Sequence, residues 1–473
     1  MKKHFSFLLI ILSATCFWAC KSWDDRVALS DSSLGRTLFD EINTQADLSK
    51  FKDLLVQSGY DKILSSSNNY TVFAPNNKAL DALDVSTIKD PDALKAFVEN
   101  HIAFLAYSMP TTADESRIKL LNNKYNSFAK GVFGTSAVLT ANKVVSNGVL
   151  HVIDKYAEVL PNLWAYVNAN TTDYAQNKSI VSLSYLQFNP EKAIVDSISA
   201  TTGKPIYRKG TGFESKNSFT DKVFDFADES KQYTYFLLNN DGYTAENKKL
   251  NTFYKTSTTD STYAATSFRT IQDLAVEGYF TQDKLPAILK SKFGVDIPID
   301  KSLITKTIKL SNGIAYILSK VDFKVADKIK TIVVQGEEFT NFQTPLSTRL
   351  YAIREKVNPT TNVSFTDLGV AGHGITGFWV RYRVTGVPAA KYKVSWVAEN
   401  DPIKIWTASS GVVPIVSQKL TFGSPTATTS LAPATFTDGN YNEVLLGEIT
   451  ICIYGVFTQK YLIIITIGKG GWC

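Results

Sequence analysis

The chain has 473 residues, enough for about three domains at roughly 150 residues each. With 44% hydrophobic and 12% aromatic residues it has material for several packed cores, which excludes whole-chain disorder and collagen-like structure. The formal charge of +6 is small for this length, and no run of like charge is long enough to track a phosphate backbone, so nucleic acid is not an expected partner.

The chain begins with an address. Lys2 and Lys3 form a basic head, and the apolar run from Phe5 to Ala14 is shorter than the about 20 residues a spanning helix needs. Phe17-Trp18-Ala19-Cys20 resembles a bacterial lipobox, although Phe17 stands where Leu is usual. The resemblance implies that residues 1–19 are a signal peptide, that Cys20 is lipidated, and that 20–32 form a lipidated linker to the membrane. Cys16 is a poorer acceptor because Thr15 precedes it, and an ordinary secretory signal is the alternative. Cys20-Lys-Ser-Trp-Asp-Asp25 resembles the acidic export signal of surface lipoproteins of the Bacteroidota, implying an outer-membrane, surface-exposed location. Of the remaining cysteines, Cys452 and Cys473 are too few and too terminal to make a disulfide framework.

The next elements form a pattern that recurs. Tyr70-Thr-Val-Phe73 is β-rich, and Pro75-Asn76-Asn77 stops the strand and can cap a helix after it. Leu80, Leu83 and Val85 open an amphipathic stretch. Asp92 to Ala106 predicts a helix with Leu94, Phe97, Val98, His101, Ile102 and Leu105 on one face. Ser146-Asn147-Gly148 is a turn signal that opens a strand from Val149 to Ile153. Asn69-Tyr-Thr-Val-Phe-Ala-Pro-Asn-Asn-Lys-Ala-Leu80 then finds a partner in Gln232-Tyr-Thr-Tyr-Phe-Leu-Leu-Asn-Asn-Asp-Gly-Tyr243. Val145-Ser-Asn-Gly-Val-Leu-His-Val-Ile-Asp-Lys155 finds one in Leu310-Ser-Asn-Gly-Ile-Ala-Tyr-Ile-Leu-Ser-Lys320, at a nearly equal offset. The pattern predicts tandem copies of one domain at 33–165 and 173–330.

These blocks carry a family resemblance. Tyr70, Thr71, Phe73 and Pro75, the Asn100-His101-Ile102 segment, and Asn147, Gly148, His151 and Asp154 resemble the two boxes and central His segment of the fasciclin domain. The resemblance implies α+β domains in tandem, each a β-sandwich wedge with short helices, serving adhesion or ligand binding without chemistry. The second copy diverges: Leu238, Tyr316 and Ser319 stand in place of Pro75, His151 and Asp154. It also has flexible Ser/Thr/Lys-rich insertions such as Lys255-Thr-Ser-Thr-Thr-Asp-Ser-Thr262, so it reads as a spacer that holds the other domains off the membrane and has kept the fold. These motif residues are expected to be mostly structural.

Residues 331–473 read differently. Ile332-Val-Val334, Phe378 to Val384 and Tyr392 to Val397 have strand character, with Gly386 and Pro388 between the last two. Val444-Leu-Leu and Ile449-Thr-Ile451 resume it after the loop Ser424 to Ser430. Short punctuated strands predict an all-β sandwich, loosely similar to the jelly rolls of carbohydrate-binding modules. Tyr461-Leu-Ile-Ile-Ile-Thr-Ile467 is an uncharged apolar strand that invites aggregation unless buried. The change of texture after Ile451 is also what a truncated or frame-shifted end would produce.

Chemistry-bearing patterns are sparse. His101, His151 and His373 are far apart in sequence, and there is no His-Glu-x-x-His, Cys-x-x-Cys or calcium-loop pattern, so no metal or cofactor is expected. Gly372-His-Gly374-Ile-Thr-Gly377 matches Gly-x-Gly-x-x-Gly, but a strand comes next where a dinucleotide site needs a helix. His151 reads as a core imidazole, whereas for His101 a core role and an adhesive-surface role are both open. Trp379, Trp396 and Trp406 are candidate sugar-stacking residues; the first two lie in alternating strands that must bury one face, and Trp406 comes after Pro402 in an irregular stretch. The leading expectation is a non-enzymatic, lipid-anchored surface protein for adhesion or polysaccharide binding, beside an outer-membrane glycan transporter. The alternative is a glycan hydrolase whose carboxylate pair, about 5–10 Å apart, is invisible in the sequence.

Overall fold

A computed structural model of the chain describes residues 32–112, 115–348, 350–370, 374–375, 377–398, 416–424, 427–436, 439–454 and 462–467. Its first unit holds strands β1 (Tyr70–Pro75), β2 (Ile102–Phe104), β3 (Ser116–Lys119), β4 (Tyr125–Ala129), β5 (Val132–Phe133), β6 (Ser136–Val145) and β7 (Gly148–Ile153), in the order β2-β1-β7-β6-β5-β4-β3. Both β1 and β7 are buried at every position and pair in parallel from Tyr70↔Gly148 to Pro75↔Ile153. Their near-continuous apolar sequence reflects having both faces covered.

Helices α1 (Leu38–Thr44), α2 (Ser49–Gln57), α3 (Tyr60–Leu64), α4 (Asn77–Asp81) and α5 (Pro91–Glu99) supply much of that cover. Local sequence sets their ends. Thr37 and Asp40 form a reciprocal capping box on α1, Asn76 accepts from Ala79 N–H to start α4, and Asp90 followed by Pro91 starts α5. The helix predicted to run to Ala106 stops at Glu99. Asn100 closes it and turns its side-chain amide to Ala157 O and Glu158 O, and Ile102–Phe104 then pairs with Val72–Tyr70 as an edge strand. The backbone hydrogen bonds offered by β1 outcompete a further helical turn.

The second unit contains α6 (Leu163–Ala169), α7 (Ala175–Ser182), strands β8 (Ser184–Phe188), β9 (Val195–Ile198), β10 (Pro205–Tyr207) and β11 (Phe213–Asn217), then α8 (Ser218–Lys222) and β12 (Tyr233–Leu238). It continues with α9 (Asn240–Asn251), α10 (Thr259–Ile271), β13 (Ala275–Glu277), β14 (Ile288–Lys290), β15 (Asp296–Pro298), β16 (Ile304–Leu310), β17 (Gly313–Leu318) and α11 (Val325–Lys328). Its main sheet runs β13-β12-β17-β16, and β12 pairs in parallel with β17 from Tyr233↔Gly313 to Leu238↔Leu318. That register repeats the β1/β7 register residue for residue. Leu163 and Val167 of α6 pack in this second core, so the unit begins upstream of residue 173. The Lys255–Thr262 stretch is ordered rather than a flexible insertion: Thr258 caps α10 and buried Thr262 donates to Thr258 O.

A polar contact joins the units. Lys124 Nζ lies 2.8 Å from Glu229 Oε1, which also accepts from Ser311 Oγ at 2.9 Å. Arg117 donates to the carbonyls of Ser230 and Glu229 at 3.1 and 3.0 Å.

From residue 341 on, the described elements are strands: β18 (Asn341–Phe342), β19 (Tyr351–Val357), β20 (Ser364–Val370), β21 (Phe378–Arg383), β22 (Lys391–Trp396), β23 (Val416–Ser424), β24 (Ala427–Ser430), β25 (Ala434–Phe436), β26 (Val444–Thr450) and β27 (Leu462–Ile467). One sheet runs β18-β21-β27-β23-β24 with β25 also on β23, while β19/β20 and β22/β26 form separate pairs. The apolar β27 lies between β21 and β23, hydrogen-bonded along both edges, so its edges are not open to another chain.

Candidate functional site

The motif side chains of the first unit converge on backbone groups around β1 and β7. Asn147 Oδ1 accepts from Leu38 N–H at 2.7 Å, and its amide donates to Leu64 O and Ser66 O at 2.8 and 2.6 Å. One buried amide thus ties α1, the end of α3 and β7 together. Gly148 lies against Tyr70 O, where a Cβ would approach to 2.0 Å, so only glycine fits. Thr71 Oγ1 donates to Leu105 O at 2.8 Å and accepts from Tyr107 N–H at 2.7 Å. Tyr70 is buried with its ring 6.1 Å from that of Phe104, and Pro75 ends β1 opposite Ile153. Asp154 Oδ1 accepts from Ala137 N–H at 2.7 Å.

The two histidines are fully buried. His101 Nε2 accepts from Ala157 N–H at 2.9 Å, which places the proton on Nδ1 and makes Nδ1–H the donor to Phe97 O at 2.8 Å. Burial holds its pKa down at about 4. His151 stacks on Phe73 at 5.2 Å with 12° between planes, and its Nε2 lies 2.9 Å from Tyr107 O. Burial lowers its pKa as well. Of the two readings open for His101, the geometry is that of a core imidazole, and no part of either ring reaches solvent.

The second unit rebuilds this scaffold with different side chains. Asn312 accepts from Leu163 N–H and donates to Phe226 O and Asp228 O, as Asn147 does for Leu38, Leu64 and Ser66. Thr234 donates to Gly278 O and accepts from Phe280 N–H, as Thr71 does for Leu105 and Tyr107. Tyr316 replaces His151: its ring lies 6.3 Å from Phe236, and its hydroxyl donates to Phe280 O at 2.8 Å. Leu274 takes the place of His101 as the residue whose carbonyl accepts from the strand, Leu274 O from Phe236 N–H as His101 O does from Phe73 N–H.

In the third region Trp396 packs against the core and Trp379 is half-buried, with the Arg381 guanidinium 4.9 Å from its ring centre. Trp406, Cys20, His373 and Cys473 lie outside the described residues. Cys452 is exposed. Strands β20 and β21 flank the glycine-rich Gly372–Gly377 stretch, and no helix comes after it among the described residues. Among the described residues no group of three or more His, Cys, Asp or Glu is placed to hold a metal ion, and no helix is long and apolar enough to cross a membrane.

Sequence reasoning missed two features. Gln176 and Asn177 hold Tyr235 and the backbone of β12 in a buried polar network. Strands β8–β11 form two exposed ribbons rich in apolar side chains. Their alternation of Leu and Phe with polar residues was the available signal.

Residues 46–158 match the fasciclin domain family. That stretch includes α2 to α5 and all seven strands of the first sheet. The chain is also similar to the solved structure of a FAS1 domain pair from the insect cell adhesion molecule fasciclin I, at 14% identity over 60% of this chain and 99% of that one, with a TM-score of 0.24. No curated protein matches the chain. Fasciclin domains are typically adhesive rather than catalytic.

Proposed function

We propose that the protein is a non-enzymatic adhesion or ligand-binding protein of the cell surface, anchored by a lipid on Cys20. In this reading the fasciclin-type units are its framework and residues 331–473 a jelly-roll-like glycan-binding region, accessory to an outer-membrane uptake system. One observation carries the non-enzymatic part. His101, His151, Thr71 and Asn147 all spend their polar atoms on backbone partners inside the first unit, which leaves none of them to shuttle protons. The anchor is supported by the Ala19-Cys20 step after the apolar leader.

A glycan array probed with residues 26–473 tests the binding role. Retention of a polysaccharide, weakened about five- to thirty-fold by Trp406→Ala, is the expected result, matching a stacking contact of about 1–2 kcal/mol. Cleavage of the arrayed glycan would instead establish the hydrolase alternative. Cys20→Ser should release the chain from the membrane fraction, and an unchanged distribution would remove the lipid anchor.

A further inference from the structure

The ribbons of the second unit expose a cluster of apolar side chains among the described residues. Eight of the 27 exposed large hydrophobic side chains fall between Tyr185 and Phe213, whereas single exposed apolar residues are ordinary. Register places the key ones together. Phe188 pairs with Phe213 across β8/β11, and Leu186, two residues along, shares their face. Tyr207 meets Phe188 edge to face at 5.2 Å and joins the second ribbon to the first. There Val195 and Ile198 lie opposite Tyr207 and Pro205, two residues apart on one strand, and so share a face. Leu186, Phe213 and Ile198 are 70%, 54% and 61% exposed. A Cβ on Gly212 would meet Ala193, so the two segments that link the ribbons lie against each other.

The edges of β9 and β10 are poor templates for strand addition, because Pro205, the irregular register at Ile206/Tyr207 and the flanking Lys204 and Arg208 all oppose it. The face is therefore the docking element. Its rim is basic. Residues 184–217 carry five Lys or Arg against three acids. Asp196 is paired with Arg208, and Glu214 with Lys192 and Lys216. Lys204 and Lys209 are exposed and have no carboxylate within ion-pair distance among the described residues.

We infer that this face docks on an anionic lipid bilayer, with the apolar side chains entering the headgroup boundary and Lys204 and Lys209 meeting lipid phosphates. Charge decides against a second copy of the chain: pairing two such faces sets like charges against each other, whereas an anionic surface neutralises them. This goes beyond the Cys20 anchor and does not depend on it. The docked face would lay the second unit on the membrane instead of leaving it a passive spacer.

The test is co-sedimentation of residues 21–473 with vesicles of phosphatidylglycerol and phosphatidylethanolamine, against vesicles of phosphatidylcholine. Binding to the anionic vesicles alone, weakened by added salt, is expected. Leu186→Ser with Phe213→Ser should lower it at least about ten-fold, and so should Lys204→Glu with Lys209→Glu, which leaves the apolar face intact. Far-ultraviolet circular dichroism checks that both variants fold. Equal binding to phosphatidylcholine, no binding to either vesicle, or undiminished binding by the charge-reversed variant overturns the inference. A dimer in sedimentation velocity that disappears with Leu186→Ser and Phe213→Ser, without vesicle binding, would assign the face to a second copy.

Discussion

Acid should loosen the first unit before it loosens the second, and His101 is the reason. Its imidazole sits between the rings of Phe51 and Phe97, at 5.7 and 4.8 Å, and is neutral with one nitrogen accepting and the other donating. Protonation would place a charge among those rings and remove the acceptor for Ala157 N–H. The folded pKa is depressed to about 4 from an ordinary 6.5, so the unfolded chain binds the proton first as pH falls. Stability from this residue is complete above pH 6.5 and is lost progressively towards pH 4. The loss is about 2 kcal/mol at pH 5 and about 3 kcal/mol once pH is below 4, a large share of the stability of one domain. The fully buried His151 is depressed in the same direction and adds to the effect. Hydrogen exchange read by mass spectrometry on peptides covering β1 and β7, corrected for intrinsic rates, measures it. Leu274 and Tyr316 occupy the corresponding places in the second unit, so β12 and β17 are the internal control. Equal loss of protection in both sheets between pH 7 and 4.5, or a His101 proton titrating near 6.5 by NMR, would refute the argument.

The aromatic stack at the first sheet makes a second prediction: Phe73 lies 3.8 Å from Phe133 and 5.0 Å from Phe128, and Phe73→Ala should cost about 3–5 kcal/mol in a denaturation series, as should Phe236→Ala in the second unit. Unchanged midpoints for both would contradict the paired cores. Tyr316→Phe should cost about 1–2 kcal/mol, because it leaves Phe280 O without its donor, read as faster exchange in β17. Lys124→Met leaves Glu229 facing the junction without its cation and should cost about 1–3 kcal/mol, with a larger radius of gyration in solution scattering as the units part. An unchanged radius and melting curve would mean that the contact does not hold them together.

Much of the scaffold was legible because its signals are local or repeated. Asn76 and Asn239 each come after an apolar strand and each cap a helix, and Asn147-Gly148 and Asn312-Gly313 each open a fully buried one. Where legibility failed, a long-range partner decided the outcome. Nothing within Asp92–Ala106 says that Ile102 will leave a helix for an edge of β1, because the competing hydrogen bonds are thirty residues away in the chain. The exposed ribbons were missed for a related reason. Burial is a property of what covers a strand, and Leu186 or Phe213 reads the same in sequence whether covered or bare. His101 was ambiguous until Ala157 N–H, reached through Asn100 and the chain after β7, was seen to donate to its Nε2.

The comparison of the two units separates what the topology demands from what it leaves free. A parallel pair whose second strand begins at an Asn-Gly turn leaves the same backbone groups in need of partners in each copy, and Asn147 and Asn312, or Thr71 and Thr234, meet that need with the same residue. At the next position the demand is for a flat ring that fills the space over Phe73 or Phe236 and donates one hydrogen bond to a loop carbonyl. An imidazole and a phenol both satisfy it, which is why His151 and Tyr316 can exchange without loss of register. Replacement of a motif histidine is therefore no sign that the second unit has lost a binding group, since the histidine it replaced was bound to the protein's own backbone. Differences that bear on binding have to be sought where the copies cease to correspond, and the ribbons between α7 and α8 are such a place.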